Sequence, residues 1–148
     1  ALNYQIMDSA KGEKFITFFA GIYDHNLKTM VYVNAGHNPP VLVRKNGEVE
    51  LLEEGSTILG MFQPLPFINE GFITDLDEFL LLLYTDGVTE TSNSEGEEYG
   101  IERLTQYLTE NAKKDIREIH QDIIVNLDTF KGNEPYNDDI TILSCRID

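Results

Sequence analysis

An apolar run from Leu80 to Tyr84 leads, one residue later, into an acid and a glycine, Asp86 and Gly87. So short an apolar run is typical of a strand buried on both faces or of a piece of buried helix, and the Asp-Gly stop favours the strand. Asp86 is then held at the end of a core strand, where Gly87 permits a sharp turn and leaves space beside the carboxylate. This arrangement suits a metal ligand or a general base. An Asp-Gly pair that only caps a turn is the open alternative.

A second acidic site precedes another apolar stretch. Asp138 and Asp139 come directly before Ile140–Cys145, which the pattern predicts as the final strand. Adjacent carboxylates raise one another's pKa or recruit a cation, and Mg²⁺, Mn²⁺ and Ca²⁺ prefer oxygen ligands. If this strand begins beside the end of the Leu-rich strand, as antiparallel neighbours do, Asp86 and Asp138 converge on one point.

Composition limits the class of protein and its partners. With 148 residues and 41% hydrophobic content, residues 1–148 are expected to form a single domain. The 26 acidic and 11 basic residues give a net charge of −15, which argues against nucleic acid or an anionic membrane as a partner. No secretion signal or membrane segment is visible. A single cysteine, Cys145, allows no intramolecular disulfide and indicates a reducing, cytoplasmic setting, with this side chain packed in the last strand.

The first two thirds of the chain predict strands. Residues 15–23 are too apolar for an exposed edge, so we expect a central strand that forms a hairpin with residues 29–33. Asn46-Gly47 predicts a second hairpin over residues 41–52. A further strand over residues 67–74 would pair with the Leu-rich strand, which makes three antiparallel pairs in succession.

Helical periodicity appears only after the Leu-rich strand. A polar, flexible loop is expected over residues 91–98, beside the proposed metal site. Apolar residues then recur at helical spacing over residues 100–111 and again over residues 115–131, with His120 at the surface of the second helix. Strands, two helices and a last strand describe an α+β domain in which helices lie on an antiparallel sheet.

The segment from Asn34 to Pro40 contains a dense cluster of turn-forming residues around His37. The imidazole could act as a general base or a metal ligand, because a free histidine side chain changes its protonation near neutral pH. A loop histidine wedged among glycine and proline more often makes a structural hydrogen bond to the backbone, and we favour that interpretation.

Four stretches together carry a resemblance that covers nearly the whole chain. They resemble the metal-dependent serine/threonine phosphatases (PPM-type, type 2C-like), and more closely the bacterial branch that includes the sporulation stage II E phosphatase and the regulators of stress sigma factors. The stretches are residues 15–23, 32–40, 83–90 and 137–141.

The resemblance implies a chemistry and a fold. Phosphoserine or phosphothreonine would be hydrolysed by a water that two Mn²⁺ or Mg²⁺ ions activate, within an antiparallel β-sheet sandwich carrying packed helices. Asp86 and Asp138 would be catalytic residues that ligate one metal ion. Asp139 would be a neighbouring ligand, or an acid that contacts the ligands without binding the metal ion itself. Gly87 would be the close-packed turn of the metal site.

One departure from the family pattern matters. Family members carry an upstream Asp-x-x-Gly-His-Gly or similar motif whose aspartate bridges the two metal ions, whereas Asp8 is the only acid ahead of Glu13 here. The start at Ala1 looks cut. The chain is therefore expected to be an N-terminally truncated, C-terminal part of a phosphatase domain that binds at most one metal ion, weakly. We expect it to have little or no activity, whereas the parent protein is active.

The resemblance also implies partners. The substrate would be a phosphorylated antagonist of an anti-sigma factor, and the parent would carry an upstream sensory domain. Open sheet edges would pair with a second copy in a homodimer. Two other classes stay open, a noncatalytic acidic protein-binding module and a Ca²⁺-binding structural domain, although the chain has no Asp-x-Asp-x-Asp-Gly loop.

Overall fold

The computed structural model describes residues 1–10 and 13–148 and divides them into two compact units. The first comprises Ala1–Pro39 and Leu52–Leu76, and the second comprises Pro40–Leu51 and Asp77–Asp148. The elements in chain order are α1 (Leu2–Ala10), β1 (Phe18–Asp24), β2 (Thr29–Ala35), β3 (Val41–Arg44), β4 (Val49–Leu51), β5 (Gly55–Ser56), β6 (Gly71–Ile73), β7 (Phe79–Tyr84), α2 (Asp86–Thr89), α3 (Gly100–Asn111), α4 (Ile116–Lys131) and β8 (Ile142–Ile147).

The first unit is built around β2. This strand pairs antiparallel with β1 along its whole length, from Phe18 opposite Ala35 to Asp24 opposite Thr29. Antiparallel β6 and the short parallel β5 also pair with it. The expected β1–β2 hairpin is confirmed. Its turn is stabilised by an oxygen of Asp24, which accepts hydrogen bonds from the backbone N–H groups of Asn26 and Leu27 at 2.8 and 2.9 Å.

The expectation that residues 15–23 form a central strand is wrong. Among the described residues β1 pairs only with β2, so it lies at the edge of its sheet. Ile22 of β1 is 77% exposed. Phe72 of β6, in the same row across the sheet, is 65% exposed. Apolar, β-branched composition predicts a strand correctly, but it does not reveal which neighbours cover that strand.

The sheet of the second unit has the order β4-β3-β7-β8, and every pair in it is antiparallel. Five of the six residues of β7, Phe79 to Leu82 and Tyr84, are buried, and successive side chains on a strand point to opposite faces. The prediction that the Leu-rich run is a strand buried on both faces is therefore confirmed, as is the hairpin at Asn46-Gly47, where β3 pairs with β4.

Two amphipathic helices cover one face of this sheet, as predicted. Their apolar stripes form one core cluster with alternate residues of β3 and β7; its fully buried members on α3 and α4 are Leu104, Leu108, Ile119, Ile123 and Leu127. Helix α4 begins where an oxygen of Asp115 accepts a hydrogen bond from the backbone N–H of Arg117, at 2.9 Å, and it ends at Gly132, whose φ is 60°.

A three-residue contact fastens α3 to α4. The carboxylate of Asp122 accepts hydrogen bonds from the hydroxyl of Tyr107 and the ammonium of Lys114, each at 2.8 Å. The Lys114 hydrogen bond, followed by that of Tyr107, lowers the pKa of Asp122.

The strand predicted over residues 67–74 is shorter and differently paired. Only Gly71–Ile73 is a strand, and β6 pairs with β2 of its own unit, so the expected third pair in succession is wrong. The first residues, for which no element was predicted, form α1. Pattern rules identify strands locally but leave long-range pairing undetermined.

Two side-chain expectations near β8 are also wrong. Cys145 lies in the last strand, but its side chain is exposed because it alternates with the residues that face the helices. His120 is half-buried, and its Nε2 lies 2.8 Å from the hydroxyl of Ser144. None of the helices within residues 1–10 and 13–148 has the length and apolarity needed to cross a bilayer.

Candidate functional site

The predicted site residues lie on two segments that β7 and β8 bring together. The antiparallel register places Tyr84 opposite Ile142, so the residues after β7 lie beside those before β8. Thr85 joins them: its hydroxyl donates to the carbonyl of Asp139 at 2.9 Å and accepts from the backbone N–H of Thr141 at 2.9 Å. Its own N–H donates to the Thr141 carbonyl at 3.1 Å. The expected neighbouring arrangement of the two acidic segments is therefore present.

Asp86 is exposed and begins the short helix α2. One of its carboxylate oxygens accepts a hydrogen bond from the backbone N–H of Gly87 at 3.1 Å, and its carbonyl accepts one from Glu90 at 2.8 Å. The sharp turn that Gly87 was expected to permit is therefore a helical turn.

Gly87 is required for close packing. It is buried, and a Cβ at this position would lie 2.5 Å from the carbonyl oxygen of Asp139 and 3.1 Å from that of Asp138. Real Cβ atoms do not approach backbone this closely, so any larger residue would push the two acidic segments apart. This contact agrees with the expected close-packed turn, although no positive φ is involved.

Asp138 and Asp139 are both exposed. An oxygen of Asp138 accepts a hydrogen bond from the backbone N–H of Asp139 at 2.7 Å, which fixes the side chain against its own loop. Asn137 anchors the same loop by donating to the carbonyl of Glu90 at 2.9 Å and to the hydroxyl of Ser92 at 3.1 Å.

Thr85 and Asn137 are positioning residues that sequence reasoning did not single out. Both carry hydrogen bonds between segments more than 40 residues apart in sequence. Their only local signal is a hydrogen-bonding side chain next to each acid, which is too common in loops to be informative by itself.

The chemistry of these carboxylates suits a hard divalent cation, but there are too few of them to complete its coordination. Carboxylate oxygens are the ligands that Mg²⁺ and Mn²⁺ prefer, and both proposed ligands are open to solvent. Within residues 1–10 and 13–148, however, no group of three or more His, Cys, Asp or Glu is placed to hold a metal ion. Asp86, Asp138 and Asp139, as they are placed in this part of the chain, therefore do not make a complete set of metal ligands.

The loop after the short helix is ordered by its own hydrogen bonds. The side-chain oxygen of Asn93 accepts from the backbone N–H groups of Glu95 and Glu97, each at 3.0 Å. Thr91 is buried, and its hydroxyl donates to the carbonyl of Gly87 at 2.7 Å. This loop is thereby tied to the turn that carries Asp86.

The segment around His37 is held by structural hydrogen bonds in the first unit. The buried amide of Asn34 donates to the carbonyl of Leu52 at 3.0 Å and accepts from the backbone N–H of His37 at 2.8 Å. The Nδ1 of His37 lies 2.7 Å from the carbonyl of Asn38, so this nitrogen carries the donated proton. These contacts favour the structural interpretation of the imidazole.

Solved structures with the same fold are phosphatase domains. The SiaA-PP2C domain of Pseudomonas aeruginosa matches with a TM-score of 0.82 and 22% identity, over 97% of this chain and 57% of that one. The phosphatase domain of the cell fate determinant SpoIIE from Bacillus subtilis matches with a TM-score of 0.67 and 17% identity, over 99% of this chain and 72% of that one. The fold is that of PP2C-type phosphatase domains.

Sequence comparison then gives the family. Residues 1–148 match the stage II sporulation protein E (SpoIIE) family, and the chain belongs to it. Protein IcfG of Synechocystis sp. is 33% identical over 133 residues, which is 88% of this chain and 20% of that protein. The phosphoserine phosphatase RsbP of Bacillus subtilis is 40% identical over 63 residues, which is 43% of this chain and 15% of that protein. The chain thus spans a fifth or less of the length of these relatives.

Proposed function

We propose that residues 1–148 are the C-terminal part of a metal-dependent protein serine/threonine phosphatase domain that acts in bacterial signalling. The observation that carries this proposal is the contact of the Asp86 turn with the Asp138–Asp139 loop across Gly87. Coverage of only 57% and 72% of the matched phosphatase domains supports the assignment to part of a domain.

In this proposal Asp86 and Asp138 are catalytic metal ligands, and Asp139 is a third ligand or supports them. When bound, Mn²⁺ or Mg²⁺ supplies an activated water and neutralises charge on the phosphoryl oxygens. A manganese-soaked form of the SpoIIE phosphatase domain is among the matched structures, which supports Mn²⁺ as one candidate. The complete domain would hold two ions, and this chain at most one.

The chain's own contribution is orientation. The backbone N–H groups of Gly87 and Asp139 each hold one oxygen of the preceding aspartate, which leaves the other oxygen of each carboxylate for a ligand. Thr85 holds the two segments in register, so both carboxylates are presented by strand ends anchored in a buried sheet.

The proposed substrate is a small cytoplasmic regulatory protein phosphorylated on serine or threonine, of the kind that antagonises an anti-sigma factor. The name of RsbP, a phosphoserine phosphatase, supports phosphoserine as the substrate group. A net charge of −15 disfavours nucleic acid and anionic membrane as partners.

We further propose that the outer edge of β1 pairs with a second copy of the chain. This edge has no strand partner among the described residues, and Ile22 and Phe18 beside it are 77% and 40% exposed. Light scattering after size exclusion across a concentration series tests the pairing. A dimer that dissociates on dilution supports it, and a monomer at every concentration rejects it.

A noncatalytic acidic binding module is the second candidate. It is favoured by the absence, in the described part of the chain, of three acidic or histidine side chains placed to hold a metal ion. Under this alternative Asp86→Asn changes no activity of the parent protein.

The experiment that separates the two candidates is hydrolysis of a phosphoserine peptide by the parent protein in Mn²⁺ buffer. The phosphatase proposal predicts at least a hundredfold loss of kcat in Asp86→Asn and in Asp138→Asn, of the order that catalytic groups contribute. Asp77→Asn, an exposed acid in a turn away from the site, should keep wild-type activity. Full activity in both site variants would reject the phosphatase role of these residues. Residues 1–148 alone should show little or no turnover.

A further inference from the structure

A cleft of about 570 Å³ opens at the other end of the second unit's sheet. It lies by the start of β7 and the end of β8, whereas Asp86 and Asp138 lie at the opposite ends of these strands. The length of β7 separates the two places by about 20 Å. Concave sites of this volume are typical of small-molecule ligands, so the cleft is a candidate site distinct from the acidic one.

The sheet register builds the floor of the cleft. Val43, Leu80 and Arg146 form one row across β3, β7 and β8, and the first two are almost fully buried. The turn after β3 forms one wall, and the last residues of α3 form the other. The floor is therefore apolar except for one guanidinium.

Cations outnumber acids in the lining of this cleft, by four to three. Its lining holds four of the 11 lysine and arginine residues of the chain but three of the 26 acidic residues. The four cations are Arg44, Lys45, Lys113 and Arg146, and the three acids are Glu78, Glu110 and Asp148. In a chain of net charge −15 this is a marked local departure, because an even distribution would place more acids than cations here.

Two of the four cations are committed to carboxylates. Arg44 pairs with Glu50 at 2.6 Å, and Lys45 pairs with Glu78. Within residues 1–10 and 13–148, neither Lys113 nor Arg146 has a carboxylate partner.

Arg146 also keeps donors available. Its guanidinium donates to the carbonyl of Ala112 at the end of α3, which uses one of five N–H donors and anchors the group in the floor. Lys113 is exposed on the adjacent wall. An anchored guanidinium with spare donors beside a free ammonium is suited to a phosphate or a carboxylate.

We propose that this cleft binds a small organic anion, a ligand that carries phosphate or carboxylate groups on an apolar body. Lys113 and Arg146 contact the anionic group, and the apolar part lies on the floor between the two walls. The site is independent of the proposed phosphatase function, since it shares no residue with the acidic segments.

The test is a nuclear magnetic resonance titration of ¹⁵N-labelled chain in metal-free, low-salt buffer. Phenyl phosphate and phthalate are the probes, so the two arms separate a phosphate from a carboxylate ligand, and benzyl alcohol controls for the apolar ring. The proposal predicts saturating shifts at the backbone amides of Lys45, Gly47, Lys113 and Arg146 with at least one anionic probe, and none with benzyl alcohol.

Substitutions of Lys113 and Arg146 test whether these two cations are responsible for the binding. Lys113→Gln, at an exposed position that should not disturb folding, is expected to weaken binding about threefold. Arg146→Gln should weaken it about tenfold, because its partly buried guanidinium gives the stronger contact. Lys14→Gln, outside the cleft, should bind as wild type. Absence of saturation up to about 10 mM probe, or equal affinity in wild type and both cleft variants, would overturn the proposal.

Discussion

Gly87 and Asp139 approach so closely that a methyl group on the glycine would lie 2.5 Å from the aspartate's carbonyl oxygen. This contact seats the turn that begins at Asp86 directly on the loop that carries the other two acids. The proposed metal site therefore depends on the absence of a side chain at residue 87 as much as on the carboxylates.

Gly87→Ala tests that dependence. The added methyl cannot be accommodated unless one backbone segment moves, so we expect a loss of about 2 kcal/mol in the free energy of unfolding. The control is Gly21→Ala, where the nearest atom to the new Cβ lies at an ordinary 3.5 Å. Urea denaturation of both variants provides the comparison. Equal stability of the two variants would show that the segments separate without cost.

Thr85→Val removes the hydroxyl that joins the two segments while keeping the shape of the side chain. The carbonyl of Asp139 and the N–H of Thr141 each lose a partner, which we expect to lower the free energy of unfolding by about 1 kcal/mol. Thr129→Val, in which the lost hydroxyl donates only to the carbonyl of Val125 on the exposed side of α4, is the matched control and should change stability by less than about 0.5 kcal/mol.

The buried amide of Asn34 should be essential to the first unit. Asn34→Ala leaves the Leu52 carbonyl and the His37 N–H without their side-chain partner, with an expected cost of about 2 kcal/mol. The exposed Asn133 makes no side-chain hydrogen bond within the described ranges, so Asn133→Ala should be neutral. Thermal unfolding followed by circular dichroism distinguishes the two variants, and similar melting temperatures would contradict the structural role of Asn34.

The contact between α3 and α4 predicts a pH dependence. Hydrogen bonds from Lys114 and then Tyr107 lower the pKa of Asp122 below its ordinary value of 3.8. The folded state therefore releases this proton more readily than the unfolded state, so the stabilisation is complete well above pH 3.8 and is lost as the pH falls through the lowered pKa.

Asp122→Asn should remove that part of the acid dependence. Its stability is expected to fall less steeply than that of the wild type below about pH 4. The measurement is a series of urea denaturation curves between pH 2.5 and 7. Parallel pH profiles for the two proteins would exclude a contribution from this carboxylate.

Local patterns in the sequence predicted the parts of the fold that local physics determines. The Leu-rich run of β7, the Asn-Gly hairpin and the two helices each carry their own signal in a short window. The neighbouring positions of Asp86 and Asp138 also followed, because antiparallel pairing of two adjacent strands brings the end of one beside the start of the other.

Other features depend on contacts between distant segments. The exposure of Ile22 on β1 and the pairing of β6 with β2 are set by which strands meet, and composition does not encode that choice. The bridging roles of Thr85 and Asn137 were missed for the same reason. Each bonds across a sequence separation that no local window covers.

The measurement that tests the central claim most directly is a calorimetric titration of residues 1–148 with Mn²⁺, alongside Asp86→Asn and the control Asp77→Asn. Hydrolysis of p-nitrophenyl phosphate is followed in the same samples. We predict weak binding of at most one ion to the wild type and the control, loss of binding in Asp86→Asn, and no turnover. Equal binding in Asp86→Asn, or no binding to any of the three, would contradict a partial metal site at Asp86 and Asp138. Robust turnover would contradict the prediction that this chain lacks an essential part of the catalytic centre.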